Sequence, residues 1–257
     1  MTAAQAILGK HALVTGGGSG VGKAIALALA EAGVAITICG RREAALAEVA
    51  KESDRIFAVA ADVTNEAEMA ALHEKAEAAR GPLDIVIANA GMAASAPAPK
   101  TALADWQRTL DVNLTGAFLT VKPALAGMLA RKTGRIVFVA STAGLKGYAY
   151  VAPYVAAKHG VVGLMRALAA ETAKSGVTVN AVCPGFVETG MLEESIARIV
   201  EKTGRSAEDA RASLATTNPQ GRFIQPEEVA SAVLWLCSDA ARSITGQAIS
   251  VSGGETW

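Results

Sequence analysis

A chain of 257 residues with 51% hydrophobic and 19% charged side chains can bury a large core and is not a disordered segment. Lysine plus arginine and aspartate plus glutamate both number 24, so no net field draws the chain to nucleic acid or to an anionic membrane. The three cysteines, Cys39, Cys183 and Cys237, are odd in number and far apart. That suits buried free thiols in a reducing compartment, and with neither a CxxC pair nor a histidine cluster no metal site is expected.

Met1 to Gly9 has no basic stretch leading into a long apolar run, and no later uninterrupted apolar run approaches the ~20 residues of a membrane span. The expectation is a soluble cytoplasmic protein with no membrane partner and no nucleic-acid partner. Along the chain, short β-rich runs alternate with longer helical patterns, as in βαβ units that build a parallel sheet with helices on both faces. Strands are expected near 11–15, 34–39, 55–60, 83–88, 134–140, 177–182 and 247–251, and helices near 20–32, 42–52, 65–80, 102–131, 153–174 and 226–238. Asp84-Ile85-Val86-Ile87-Ala88 is apolar after its first residue rather than alternating, which fits a strand covered on both sides. The fold class is therefore α/β, a single domain over 1–257 with a doubly wound, Rossmann-type sheet of seven parallel strands.

The first strand runs straight into Thr15-Gly16-Gly17-Gly18-Ser19-Gly20-Val21-Gly22 and then a helix. Glycines permit a tight turn and close backbone approach, and the helix start offers free N–H groups to a pyrophosphate. Gly16, Ser19, Gly20, Val21 and Gly22 are the candidate contacts for a dinucleotide. An NAD site would place an acid at the end of the second strand, but here Cys39-Gly40-Arg41-Arg42 follows. Arg41, helped by Arg42, favours the 2′-phosphate of NADP(H), with NAD(H) as the alternative and plain solvent exposure of both arginines as the bland one.

Asn113 interrupts an apolar helical pattern, a costly place for a poor helix former, and so has a specific polar task such as holding a water against Lys158. Ser141 follows the fifth strand, and Tyr154 opens the run Tyr154-Val155-Ala156-Ala157-Lys158. On a helix the i, i+4 spacing brings phenol and ammonium to one face, where a fixed cation would lower the phenol pKa and make Tyr154 an acid and base. His159 lies about 100° round the helix and is read as structural. Tyr148 and Tyr150 either line a substrate pocket or pack. The charged, helix-prone stretch 186–219 is read as a lid at the carboxyl edge of the sheet.

In this order and spacing the motifs resemble the short-chain dehydrogenase/reductase family over essentially the whole chain: the glycine turn at 15–22, Asp62-Val63, Asn89-Ala90-Gly91, Asn113, Ser141, Tyr154 with Lys158, and Pro184-Gly185. The resemblance implies an NAD(P)-dependent oxidoreductase acting on a ketone or secondary alcohol, with Asn113, Ser141, Tyr154 and Lys158 as its catalytic set. It implies further that Asp62 and Val63 meet the adenine, that Asn89, Ala90 and Gly91 line the cofactor cleft, that Tyr154 and Lys158 also hold the nicotinamide ribose, and that Pro184, Gly185, Val187 and Thr189 flank the carboxamide. Ala88 departs from the pattern mildly, since many members carry a second asparagine there.

Within that family Asn180-Ala181-Val182-Cys183-Pro184-Gly185 and Ile244-Thr245-Gly246-Gln247 resemble 3-oxoacyl reductases and 3-hydroxyacyl dehydrogenases. Carrier-protein reductases use two basic docking positions. Lys132 matches one, while Ser175 stands at the other beside Lys174, so a CoA thioester or free ketone is favoured over a carrier-bound chain. A secondary-alcohol, steroid or sugar dehydrogenase is the alternative, and a non-catalytic nucleotide-binding regulator the remote one. The resemblance also implies a homo-oligomer, a tetramer, through the helices at 102–131 and 153–174.

Overall fold

The computed structural model describes residue 7 and residues 9–256. Of the stretch Met1 to Gly9 considered above, residues 1–6 and 8 lie outside the described residues.

The seven expected strands form one sheet: β1 His11–Thr15, β2 Ala35–Gly40, β3 Ile56–Ala60, β4 Ile85–Ala88, β5 Gly134–Val139, β6 Val177–Pro184 and β7 Ala248–Val251. Their spatial order is β3-β2-β1-β4-β5-β6-β7, and every neighbouring pair is parallel. The chain winds outward from β1 to β3, then returns to lay β4 on the other side of β1 and winds the opposite way. The carboxyl ends of β1 and β4 thus flank the point where the winding reverses, and the loops there diverge and leave a crevice.

The helices are α1 Gly20–Glu31, α2 Glu43–Ala50, α3 Glu66–Arg80, α4 Leu103–Leu110, α5 Gly116–Arg131, α6 Ala152–Thr172, α7 Gly190–Thr203, α8 Ala207–Ala215 and α9 Pro226–Cys237. Side chains of a strand alternate between faces, so each strand feeds two apolar layers. In β1, Leu13 joins Met69, Leu72, Met128, Phe138 and Val161 in the layer under α3, α5 and α6. Its neighbours Ala12 and Val14 join Ile25, Leu29, Leu46, Val229 and Val233 under α1, α2 and α9.

One region differs from the sequence reading: the single helix expected at 102–131 is divided by a wide π turn over Asp111–Thr115, which sets α4 and α5 apart around Asn113. The helix-prone stretch 186–219, expected to be a lid, folds as α7 and α8, with an apolar cluster of its own around Leu192, Ile196, Ala210 and Phe223. Taken as one helical stretch, Leu103–Arg131 is long and apolar enough to cross a membrane, with 44% of its most apolar window buried. In this fold its two parts pack on α3, α6 and β4.

Candidate active site

The glycine turn is crowded on every side. A Cβ at Gly22 would come within 2.3 Å of the Gly16 carbonyl oxygen and 2.4 Å of Asn89 Nδ2, and one at Gly17 within 2.6 Å of Ile38 Cβ. Gly16 has φ +68, a left-handed conformation that glycine adopts freely. Thr15 fastens this turn to the loop after β4: its Oγ1 accepts from the N–H groups of Asn89 at 3.0 Å and Ala90 at 3.1 Å, and its carbonyl accepts from Asn89 Nδ2 at 2.8 Å.

Most helices have unpaired N–H groups at their start, and the sequence usually caps them. In α3, Asn65 accepts from Ala67 and Glu68, and Glu66 and Glu68 oppose the dipole. At α1 the Ser19 side chain caps nothing and the first turn has no acid. Ser19 Oγ accepts instead from Arg42 Nη2 at 3.1 Å. The positive end of α1 therefore stays open beneath the glycines, next to Val21, which is the arrangement an anion needs.

At the far side of the crevice, a cavity of about 360 Å³ is lined by Arg41, Asp62, Thr64, Gln107, Arg108 and Asp111, among others. The acids there are occupied: Asp62 Oδ1 accepts from Thr64 N and Oγ1, and Asp111 Oδ1 from Gln107 Nε2. These hydrogen bonds and the Arg41 guanidinium hold the Asp62 carboxyl below its ordinary pKa. Arg41 is exposed and can turn toward the cavity. The Val63 side chain is buried, pressed so closely on Gly116 that a Cβ there would sit 2.7 Å away, so only its backbone can face a ligand. Arg108, an ordinary helix residue in the sequence, lines the same cavity from α4. These residues fit a dinucleotide: a close backbone approach, an open helix start and an exposed cation beside a cavity.

Ser141, Tyr154 and Lys158, expected to be the reacting groups, stand at the carboxyl ends of β5 and β6. Lys158 is 4% exposed, and its ammonium lies 5.6 Å from the centre of the Tyr154 ring. It donates to the Val139 carbonyl at 2.9 Å. Burial lowers its pKa to about 8. For Tyr154 the expectation of a lowered pKa is corrected. Burial pushes the phenol up, the Ser141 hydroxyl beside it pulls it down, and the ammonium, placed over the ring and hydrogen-bonded elsewhere, does not reverse the balance. Cys183, also buried here, is held as an inert thiol, its pKa raised to about 11.

Asn113 is 1% exposed. Its Oδ1 accepts from Met92 N at 3.2 Å, and its Nδ2 donates to the carbonyls of Met92 and Thr109, each at 2.9 Å. The side-chain amide thus pins the loop after Gly91. Asn113 Oδ1 and Lys158 Nζ nonetheless approach the same point, 2.9 and 3.8 Å from where a Cβ on Gly91 would lie.

From Pro184 and Gly185 the chain passes into the lid. Val187 bridges to Ile224, and Thr189 Cγ2 lies 3.2 Å from where a Cβ on Gly20 would be, so the base of the lid touches the glycine turn across the crevice. Arg211 on α8 pairs with Glu188 and Glu193 and ties the two lid helices to the end of β6. His159 is exposed and bonded to Val155, as expected of a structural residue. Tyr150 is 67% exposed, whereas Tyr148 turns inward to Thr142 and Glu255. No motif in the sequence marked Glu255 or Thr142.

The short chain dehydrogenase family model matches residues 10–199. The 3-oxoacyl-[acyl-carrier-protein] reductase of Synechocystis sp. is 38% identical over 97% of this chain and 98% of its own length. The cis-4-hydroxycyclohexanecarboxylate dehydrogenase of Sinomonas cyclohexanicum is 41% identical over 98% of each chain. Among solved structures, an actinorhodin polyketide ketoreductase crystallised with NADPH superposes with a TM-score of 0.93 at 39% identity, covering 96% of this chain and 97% of that one.

Proposed function

The chain belongs to the short-chain dehydrogenase family, and we propose that it is an NADP(H)-dependent ketoreductase interconverting a ketone and a secondary alcohol. The observation that carries this reading is the convergence of Ser141, Tyr154 and Lys158 at the carboxyl ends of β5 and β6, next to a glycine turn built for a dinucleotide. The NADPH held by the related ketoreductase supports the same cofactor here, as does the absence of an acid at Gly40-Arg41.

A nicotinamide bound in the crevice would supply the hydride for the carbonyl carbon. The chain's own residues do the rest. Burial keeps the Tyr154 phenol protonated, so it meets a carbonyl oxygen as a proton donor. Ser141 donates to the same oxygen and fixes its place. Lys158, with a pKa near neutrality, gives up a proton far more readily than an ordinary lysine and is suited to refilling the phenol. In alcohol oxidation the same groups act in reverse.

The substrate class we assign is a 3-oxoacyl thioester and its 3-hydroxyacyl form, carried on CoA in preference to a carrier protein. Lys132 and Gly176 come together below β5 and β6, and Ser175 stands at the second docking position in place of a basic residue, with only Lys174 beside it. The alternative, a cyclic secondary alcohol, is kept by the cyclohexane-acting relative. The enzyme works as a cytoplasmic homotetramer in this reading, supported by three free buried thiols and by apolar side chains left on α5.

The test is a panel of acyl-CoA, acyl-carrier and simple ketones assayed with NADPH and with NADH. Consumption of NADPH by 3-oxoacyl-CoA is expected. Turnover only with NADH, or with cyclic ketones alone, would overturn the cofactor or the substrate assignment respectively, and inertness toward every ketone would leave a nucleotide-binding regulator.

A further inference from the structure

Beside the reacting groups lies a buried carboxylate for which the reaction has no use. Glu255 stands in the turn after β7, and its side chain is 0% exposed. Its Oε1 accepts from the Tyr148 hydroxyl at 2.5 Å and faces the Lys146 ammonium at 3.1 Å. The Tyr148 oxygen is also 2.6 Å from Thr142 Oγ1. A phenol has one proton, and Tyr148 directs its own to Glu255, so Thr142 is the donor in that second bond. The protons all point one way, from Thr142 through Tyr148 to Glu255, and Thr142 directly follows Ser141. The other carboxylate oxygen, Oε2, is buried without a hydrogen-bond partner among the described residues and sits 2.9 Å from where a Cβ on Gly185 would lie.

A buried carboxylate with one oxygen unsatisfied costs free energy, and an apolar side chain of the same shape would cost less. The Lys146 ammonium and the Tyr148 hydroxyl offset part of that cost, and these contacts do more than hold Glu255. They join the loop between Ser141 and α6 to the end of β6, and the Tyr148 ring meets Phe186, where the lid begins, edge-on at 6.5 Å. The Lys146 ammonium lies 5.0 Å over the same ring.

We propose that Glu255 is a positioning residue for the Ser141 turn. Acting through Tyr148 and Thr142, it locks the backbone from which the Ser141 hydroxyl projects and sets Tyr148 as a wall of the cleft, so that a carbonyl meets Ser141 and Tyr154 in one orientation. This rests on Ser141 and Tyr154 being the reacting pair. Burial and the adjoining carboxylate hold the Tyr148 phenol far above its ordinary pKa, so it does not compete with Tyr154 as an acid.

The experiment compares Glu255→Ala, Glu255→Gln, Tyr148→Phe and the double variant Glu255→Ala/Tyr148→Phe for kcat and KM on a ketone that the unsubstituted enzyme accepts, for NADPH affinity by fluorescence, and for thermal midpoint. A misplaced reacting group costs up to ~10²-fold, so Glu255→Ala and Tyr148→Phe should each lower kcat by about 10- to 100-fold with NADPH affinity kept. Glu255→Gln, which keeps an acceptor for the phenol, should recover most of kcat. The double variant should be no worse than the poorer single one, because the two side chains act as one unit. Losses that multiply in the double variant, or full kcat with only a lowered midpoint, would overturn the proposal. Should Glu255→Ala fail to fold, the near-isosteric Gln variant and Tyr148→Phe decide, and equal damage from both with NADPH affinity lost would also overturn it. Absence of turnover in the unsubstituted protein would overturn the proposed function as well, whereas an active enzyme unaffected by Glu255→Ala sinks this inference alone.

Discussion

Burial holds the proton on Tyr154 more tightly, and the Ser141 hydroxyl beside it works the other way. Tyr154→Phe removes only the hydroxyl and leaves the ring packed on α6. It should keep fold and NADPH affinity while lowering kcat by at least ~10²-fold, the usual worth of a general acid. Near-normal turnover in single-turnover and steady-state assays would remove Tyr154 from the reaction. The cofactor preference turns on Gly40 and Arg41. A Cβ at Gly40 would meet nothing nearer than Leu46 Cδ2 at 3.8 Å, so a carboxylate fits there without disturbing the turn. Gly40→Asp with Arg41→Ala takes away a cation for the 2′-phosphate and adds a like charge against it. The ratio of kcat/KM for NADPH over NADH should fall by at least ~10-fold. An unchanged ratio would show that Arg41 stays in solvent.

At the scale of elements, helices grip one another through buried polar contacts as well as apolar ones, and one of these is sensitive to acid. His73 on α3 is 5% exposed, and its Nε2 donates to the Thr120 carbonyl on α5 at 3.0 Å. Its Nδ1 is buried without a partner, so protonation would place a second N–H where nothing accepts it. Burial accordingly lowers the His73 pKa, and nearby His11, also buried, is lowered for the same reason. A histidine with a depressed folded pKa binds more protons when unfolded. Its contribution is intact above the unfolded value of about 6.5 and is lost as pH falls below it toward the folded value. Stability to urea should therefore decline between about pH 7 and pH 5.5, and His73→Leu should flatten that decline. An equally steep decline in the variant would assign the acid sensitivity to other groups.

For the whole molecule, the two helices expected to carry assembly differ in the apolar surface they leave open after folding. Val161, Val162 and Met165 on α6 face the protein's own core at 1%, 3% and 0% exposure, and only Leu164 remains partly open. Apolar side chains remain open on α4 and α5, where Leu103, Phe118 and Leu129 are 78%, 40% and 38% exposed. An oligomer that buries these faces is expected to give a multiple of the 26.1 kDa chain mass by light scattering at micromolar concentration. Phe118→Glu with Leu129→Glu should shift it toward the monomer. A monomer mass for the unsubstituted protein would refute the assembly.

The sequence by itself determined the sheet and the chemical kit. Strand and helix periods are local, as are the glycine turn, the Tyr154–Lys158 spacing on one helix and the absence of an acid after Cys39, so each is legible from neighbours in the chain. What only the tertiary structure decided depends on residues far apart in sequence. The protonation balance at Tyr154 and Lys158 follows from how deeply β5, β6 and α6 bury them, and burial has no local signature. The wide turn at Asn113 is set by what its amide reaches, the backbone of Met92, 21 residues earlier. Glu255 meets Tyr148 from 107 residues away, and Arg108 lines one cavity with Arg41 and Asp62, which are far from it in sequence. Periodicity reports which face of an element is apolar, but it does not report which polar side chains the winding of the sheet will bring face to face.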